Sequence, residues 1–124
     1  MKLTLLDDSY QVIKLKPDDI APAELNNQEF YSITKTKEEV SIVASCKLNI
    51  QCSSIEKPWK IIKIDGILNF NLIGILAKIS NILADNQISI FVVSTFNTDY
   101  ILVAEANIDK AVSILSGNGY QFQF

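Results

Sequence analysis

The stretch that decides the fold is GILNFNLIGILAKISNILADNQISIFVVSTFNTDYILV, which occupies residues 66–103. It opens with a loop between two glycines and continues with apolar residues at every third or fourth position. Two β-branched segments follow, separated by the polar turn FNTD. Apolar spacing of this kind predicts an amphipathic helix, and β-branched runs predict strands. The stretch therefore predicts helix, strand, turn and strand in that order.

Flanking segments extend this pattern to a complete supersecondary unit. A strand is predicted over residues 59–64, before the loop, and the returning strand covers residues 100–104. A second helix follows Asn107, a candidate N-cap, and a last strand alternates aromatic and glutamine residues over 120–124. One face of the first helix is apolar: Leu72, Ile75, Leu76, Ile79, Ile82 and Leu83. The order is βαββαβ, the split βαβ of ferredoxin-like folds.

Topology alone brings two polar segments of this unit together. Crossover connections are right-handed, so the first two strands of the unit run parallel and the third lies antiparallel between them. The exit of the first strand and the turn between the second and third strands then lie at one end of the sheet. We expect the loop at residues 65–74 to approach the turn at residues 96–99.

The first half of the chain predicts shorter elements. Strands are expected at residues 2–6 and 10–15, which could form a hairpin, and at residues 30–34 and 40–44. A short helix is expected over residues 20–25. The segment 46–58 has weak periodicity and ends at a proline, so it is interpreted as the connection between two halves.

An internal repeat supports two modules. SITKTKEEVSIVA at residues 32–44 is similar to STFNTDYILVA at residues 94–104. Ser32 is matched with Ser94 and Thr36 with Thr98, followed by an insertion of two residues. Chance similarity between two hairpins is the alternative.

Composition excludes several classes of function. The 124 residues are 48% hydrophobic and 20% charged, as in a globular domain. The net charge is −3, and all eleven cations are lysines, which argues against a nucleic-acid partner. There is no histidine, so histidine bases and histidine metal ligands are excluded.

Sequence features for metal binding, export and membrane insertion are also missing. Cys46 and Cys52 fit no metal or redox motif. Neither a signal peptide nor a membrane-spanning segment is recognisable, so we expect a cytoplasmic location and no membrane contact. No metal and no cofactor is expected.

The segment FYSITKTKEEVSIV and residues 65–103 resemble proteins with paired ACT domains. The resemblance includes small bacterial tandem ACT proteins, the C-terminal ACT modules of aspartate kinases and the CASTOR arginine sensors, and covers about residues 30–122. It implies an α+β fold of two fused ferredoxin-like ACT modules, with antiparallel sheets and helices on one face, the first module being partly eroded. The expected modules are residues 1–55 and 56–124.

The resemblance also implies a function. ACT domains are regulatory, so the chain is expected to be non-enzymatic, to bind a small amino acid or related metabolite at a module interface and to form a homodimer. The positions that match the family's ligand contacts lie in the loop and helix start, at the second hairpin and, more loosely, on a strand of the first half: Asn69, Gly74, Ile75, Leu76, Thr95, Phe96, Asp99, Ser41 and Ile42.

Two positions depart from the family pattern. Relatives often carry SLTG where this chain has NLIG, so Ile73 replaces a hydroxyl side chain. Arginine sensors carry an acidic residue near the position of Leu72, which argues against arginine as the ligand here.

The chemistry of these residues is consistent with a zwitterionic ligand. A helix N-terminus offers unpaired N–H groups to a carboxylate, and a glycine such as Gly74 allows close approach to the backbone. Asp99 could accept from an ammonium group.

Each of these residues also has a purely structural interpretation. Asp99 could be a solvated turn residue, and Asn69 could only shape the loop. Gly74 could permit close helix packing, and Phe96 could belong to the core.

Two other functions remain open from sequence. One is a ligand-free interaction or dimerisation module. The other is a small ferredoxin-like enzyme such as an acylphosphatase, for which the chain lacks the phosphate-binding arginine.

Overall fold

The computed structural model of the protein describes residues 1–66 and 73–124. Eight strands are found in this part of the chain: β1 Lys2–Leu5, β2 Tyr10–Leu15, β3 Ser32–Lys35, β4 Val40–Ser45, β5 Ser54–Ile64, β6 Ile90–Ser94, β7 Asp99–Ala104 and β8 Gln121–Gln123. The α-helices are α1 Ile75–Asp85 and α2 Ile108–Gly117, and two short 3-10 helices cover Ala23–Asn27 and Glu105–Asn107. The α+β class expected from the sequence is confirmed.

The chain folds as two compact units. The large unit consists of Met1–Asp7 and Lys60–Phe124, and the small unit consists of Asp8–Trp59. The observed division at residue 59 lies close to the expected boundary at residue 55. The first seven residues, however, belong to the large unit and not to the N-terminal interval in which the sequence had placed them.

An inserted strand explains this difference in the large unit. Its strands have the order β8-β1-β5-β7-β6. In a ferredoxin-like βαββαβ unit the last strand would lie next to the first. Here β1 takes that place, antiparallel to β5 (Leu3 opposite Ile64) and parallel to β8 (Leu3 opposite Phe122). The predicted hairpin between β1 and β2 is therefore wrong, because β1 pairs with β5 and β8.

Both helices of the large unit cover one face of its sheet. From the helices, Ile79 and Leu83 of α1 and Ala111 and Leu115 of α2 are buried in one cluster. Alternate strand residues complete the cluster, including Leu3, Ile62, Ile64, Ile101 and Val103. In a strand every second side chain lies on the same face, and in a helix every third or fourth side chain does. The buried residues follow these spacings, so they lie where the sheet and the helices face each other. The predicted apolar face of α1 is confirmed for its described residues.

The small unit keeps the strand topology of a ferredoxin-like module without its helices. Its order is β3-β4-β2-β5, with every neighbouring pair antiparallel. This is the 2-3-1-4 order of a βαββαβ unit in which β2 is the first strand. The 3-10 helix Ala23–Asn27 occupies the position of the first helix in the chain, and the segment 46–53 occupies that of the second.

The core of the small unit is a single apolar layer. Ile13 and Ile42 face each other across β2 and β4 and are 1% and 0% exposed. Leu25, the buried residue of the 3-10 helix, packs in the same cluster with Leu15, Val40 and Ala44. A few short covering segments thus exclude water from one face of this sheet.

Strand β5 begins earlier than the sequence suggested. The sequence predicts a connection at residues 54–58, yet this segment pairs with β2, with Ile55 opposite Ile13 and Glu56 opposite Val12. Within the small unit this part of β5 is an edge, where polar residues and Pro58 are tolerated because one side of the strand needs no partner.

Candidate functional site

The end of β5 is fixed by a buried hydroxyl group from the second hairpin. Thr98 is 4% exposed, and its Oγ1 donates a hydrogen bond of 2.6 Å to the backbone carbonyl of Ile64. Because Ile64 is the last residue of β5, this bond holds the β6–β7 turn against the point at which the chain leaves for α1. The predicted approach of the turn to the exit of the first strand is confirmed at this contact.

The turn itself is closed by Thr95. The last paired residues of the hairpin are Ser94 and Asp99, so residues 95–98 form the turn. The amide of Thr95 donates to the Thr98 carbonyl at 2.9 Å, and Thr95 Oγ1 donates to the same carbonyl at 3.1 Å. The amide of Thr98 donates back to Thr95 Oγ1 at 3.3 Å. The hydroxyl of Thr95 therefore stabilises the turn.

Phe96 and Asp99 occupy different environments in this hairpin. Phe96 is 79% exposed at the turn, so the interpretation of Phe96 as a core residue is wrong. Asp99 begins β7 and is half-buried, so it lies on a strand and not in the turn proper. An aromatic ring at this position has apolar surface available to a ligand or a partner.

The opposite side of the β5 end is held by β1. Thr4 Oγ1 donates to a carboxylate oxygen of Asp65 at 2.6 Å, and the Asp65 amide donates to the Lys2 carbonyl at 3.1 Å. Two neighbouring residues are thus held from both sides: Ile64 is bonded to the β6–β7 turn, and Asp65 is bonded to β1. The loop that follows starts from a fixed point.

The start of α1 depends on Gly74. This residue is the N-cap and has a φ of +83°, a conformation that side chains with a Cβ rarely adopt. Apart from Gly74 itself and its two chain neighbours, no described residue has an atom within 4 Å of the position that a Cβ would occupy. Close helix packing therefore does not explain Gly74, whereas its backbone conformation does. Asn69 and Leu72 lie outside the described residues.

A surface pocket of about 310 Å³ adjoins this helix start. It is lined by Met1, Ile73, Gly74, Ile75, Lys78, Asn118, Gly119 and Tyr120. Its size is at the lower end of what small-molecule pockets occupy, about 300–1,000 Å³. Gly74 and Ile75 belong to the predicted site, while Lys78 and the segment 118–120 were not anticipated.

Leu76, Ser41 and Ile42 are not among the residues that line this pocket. Leu76 packs against the core cluster of the large unit with its side chain partly buried. Ser41 and Ile42 lie on β4 in the small unit. Ile42 is 0% exposed and its strand is paired on both sides, so its side chain is not available to a ligand.

Metal sites and membrane helices were searched for in the described residues. Residues 1–66 and 73–124 contain no cluster of cysteine and acidic side chains that could hold a metal ion. Among the helices of this part of the chain, none has the length and apolar character required to cross a membrane.

Comparison with protein families identifies the larger part of the chain. The family model of the ACT domain matches residues 54–117, which is more than half of the 124 residues. The chain belongs to the ACT domain family. The ACT match runs from the start of β5 to the end of α2 and contains the β6–β7 hairpin and the start of α1. A second family model, that of an N-terminal domain, matches residues 8–50 in the small unit.

The chain is also similar in sequence to a protein of known function. The human protein "Cytosolic arginine sensor for mTORC1 subunit 1" is 39% identical over 64 residues, which is 51% of this chain. The matched part spans only 20% of that sensor's length.

Solved structures extend the similarity to nearly the whole chain. A crystal structure of an Agrobacterium tumefaciens protein is 32% identical with a TM-score of 0.86, covering 98% of this chain and 91% of that one. The aspartate kinase of Clostridium acetobutylicum shares the fold at 20% identity and a TM-score of 0.58, covering 86% of this chain and 32% of the kinase.

Proposed function

We propose that this ACT protein is a non-enzymatic regulator that binds a small amino acid or a related metabolite at an interface between ACT modules. The observation that carries the proposal is the bond from Thr98 Oγ1 to the Ile64 carbonyl. It holds a polar hairpin turn beside the strand end that leads into α1, so donors and acceptors from separate elements can converge on one ligand.

Each candidate residue has a definable role in such a complex. The first amides of α1, beside Gly74, would receive the ligand carboxylate, because the α1 N-cap provides no side-chain hydrogen bond. The half-buried Asp99 would accept from the ammonium group. Phe96 would cover the apolar part of the ligand. Asn69, Thr95 and Ser41 would contribute backbone or side-chain polar contacts.

The relatives support a regulatory role rather than catalysis. One relative of this chain is an arginine sensor by name, that is, a regulatory protein. The composition agrees, since a chain without histidine or arginine lacks the side chains most often used for proton transfer and phosphate binding. We further propose that the protein acts in the cytoplasm, as a homodimer and without a nucleic-acid partner.

Calorimetry and thermal unfolding against the proteinogenic amino acids test this function. We expect at least one of them to release or absorb heat with micromolar affinity and to raise the unfolding temperature. Asp99→Asn should weaken that ligand, whereas Asp109→Asn on α2, which no candidate contact involves, should not. Absence of heat and of any thermal shift with every amino acid would refute the proposal.

A ligand-free dimerisation module is the second candidate function. Two large apolar side chains of the large unit favour it, because Ile73 is 94% and Phe96 is 79% exposed. Sedimentation of Asp99→Ala separates the candidates: loss of the dimer without a ligand effect favours assembly, and loss of ligand binding by an intact dimer favours sensing.

A further inference from the structure

We propose that Asn118 is a modification site, which loses its side-chain amide as ammonia at a rate set by the opening of the last turn of α2. The reaction belongs to the connection between α2 and β8 and takes place whether or not the protein binds an amino acid. The two helix ends of the large unit, which are built alike, provide the evidence.

Both helices of the large unit end in the same way. Asn86 is the C-cap residue of α1, and Asn118 is the C-cap residue of α2. The Nδ2 group of each asparagine donates to the carbonyl of the isoleucine four residues earlier, at 2.8 Å in both cases. The next residue has a positive φ at each end, +63° for Gln87 and +94° for Gly119. The two ends therefore share their geometry and differ in the residue that follows the asparagine.

The glycine after Asn118 makes that asparagine reactive. When the backbone nitrogen of the next residue attacks Cγ of an asparagine, a succinimide ring closes and Nδ2 leaves as ammonia with the proton of the attacking nitrogen. Water then opens the ring at either carbonyl and leaves aspartate or isoaspartate. A Cβ on the next residue obstructs the attack, and glycine has none. Of the ten asparagines in the chain, only Asn118 precedes a glycine.

The folded end of α2 keeps both reacting groups hydrogen-bonded. Asn118 Nδ2 is held by the Ile114 carbonyl. The attacking amide, that of Gly119, donates to the Ser116 carbonyl at 3.1 Å. The reaction therefore requires these two bonds to open. Residues 116–119 are all exposed, so opening them uncovers no buried side chain and has a low cost in free energy.

The end of α1 is held more firmly. Asn86 is half-buried, and its carbonyl accepts a hydrogen bond of 2.9 Å from Nζ of Lys110 on α2. Gln87, which follows it, carries a Cβ that obstructs the attack. Asn86 is thus an internal control with the same cap geometry, slower chemistry and a less accessible position.

The product of the reaction no longer caps α2. A carboxylate cannot donate to the Ile114 carbonyl, and its negative charge lies at the C-terminal end of the helix, where the helix dipole disfavours it. Isoaspartate also routes the backbone through the Cβ of residue 118 and so lengthens the connection to β8. Because Asn118 lines the pocket beside Gly74, the reaction also adds a carboxylate to that pocket.

Peptide mapping by mass spectrometry follows the reaction in the full chain, incubated in mildly alkaline buffer with and without urea. Labelling with an isoaspartate methyltransferase identifies the isoaspartate product. We expect Asn118 to lose ammonia before any other asparagine. The loss should be about tenfold to a hundredfold faster in urea, because a folded helix end is open for only a small fraction of the time. Asn86 should keep its amide in the native chain.

Three variants separate the chemistry from its control by the helix end. Ser116→Gly loosens the last turn of α2 and Ser116→Ala stabilises it. Their native rates should differ by about fivefold, as the helix propensities of glycine and alanine imply, and their rates in urea should be equal. Gln87→Gly gives Asn86 a following glycine, so in urea Asn86 should react about as fast as Asn118. In the native chain it should react more slowly than Asn118, because its carbonyl stays bonded to Lys110.

Several results would overturn the proposal. Another asparagine that loses ammonia before Asn118 would contradict the site. So would an Asn118 that keeps its amide in the native chain through the whole incubation while the unfolded chain reacts. Equal rates with and without urea, or equal native rates in the two Ser116 variants, would show that the end of α2 does not control the reaction. None of these results bears on amino-acid binding, which calorimetry tests separately.

Discussion

Two four-residue hairpin turns, one in each unit, are closed by an equivalent backbone hydrogen bond and have different surroundings. In the small unit the turn covers residues 36–39, and the amide of Thr36 donates to the Glu39 carbonyl at 2.9 Å. In the large unit the Thr95 amide donates to the Thr98 carbonyl at the same distance. The first turn ends in a partly exposed glutamate, whereas the second ends in a buried threonine that is bonded to a neighbouring strand.

This difference shows which of the two turns is held to a neighbouring element. Thr36 Oγ1 accepts from two exposed amides of its own turn, at 3.1 and 3.2 Å, so its effect is local. Thr98 ties its turn to the strand before α1. The structure also corrects the repeat, because Thr36 occupies the position of Thr95 and not that of Thr98. The two turns are therefore closed in the same way and anchored differently.

The largest expected loss of stability comes from the apolar cover of each sheet. In the large unit that cover includes α1, and in the small unit it includes the 3-10 helix Ala23–Asn27. Leu83 on α1 is 0% exposed, and Leu25 on the 3-10 helix Ala23–Asn27 is 1% exposed. Leu83→Ala and Leu25→Ala should each lower the free energy of unfolding by about 2–5 kcal/mol, since both remove buried methyl groups and leave a cavity. Urea unfolding measures both values.

Leucine to methionine at the same positions is the control, with a cost below about 1.5 kcal/mol because volume is conserved. A cost below about 1 kcal/mol for Leu25→Ala alone would show that the 3-10 helix does not replace the missing α-helix as a cover for the sheet.

The next effect compares the two turn threonines. Thr98→Val keeps the side-chain shape and removes the hydroxyl, so the Ile64 carbonyl loses a buried donor. We expect a cost of about 1–3 kcal/mol. Thr36→Val should cost less, about 0.5–1 kcal/mol, because water can reach the exposed amides that its oxygen accepts from.

Thr98→Ser retains the hydroxyl and should recover most of the loss at that position. Guanidinium unfolding of the four proteins gives the comparison. Equal costs for the two valine variants would contradict the distinction between an anchored and a local turn.

The sequence predicts those parts of the fold that depend on periodicity. Apolar residues at helical spacing predict α1 and α2 because a helix buries one stripe regardless of its partner. The position of β1 between β5 and β8 could not be predicted, because Leu3 and Leu5 alternate in the same way beside any neighbour. Asn107 does precede α2, yet its side chain makes no capping bond.

The only part of the candidate site that the sequence predicts is the part that follows from the order of strands and helices. The βαββαβ order alone indicates that the loop before Gly74 approaches the second hairpin. Lys78 and Tyr120 could not be predicted as lining the same pocket, since they meet across the α1 start and the α2–β8 connection. The burial of Thr98 was also not predictable, because a threonine within the polar sequence FNTD has the composition of a solvated turn.

The smallest expected loss of stability comes from removing a single polar contact, and each unit offers one for comparison. In the large unit Thr4 donates to Asp65 at 2.6 Å in a partly buried position. In the small unit Lys47 lies 3.3 Å from Asp8, with a lysine side chain that is 79% exposed. Thr4→Val should cost about 1 kcal/mol, because the carboxylate loses a donor that water replaces incompletely. Lys47→Gln should cost at most about 0.5 kcal/mol, since exposed ion pairs offset little of their side-chain entropy.

Salt distinguishes the two contacts further. The free energy of unfolding should be measured at low salt and at about 1 M NaCl. At the higher concentration the cost of Lys47→Gln should disappear, because the screening length falls to about 3 Å. The effect of Thr4→Val should persist, since its donor is neutral and the contact is partly shielded from ions. Thr4→Ser, which keeps the hydroxyl, should stay close to the native chain at both salt concentrations. A larger cost for Lys47→Gln than for Thr4→Val at low salt would mean that the small unit depends on its surface charges, and that the end of β5 is held by its backbone pairing alone.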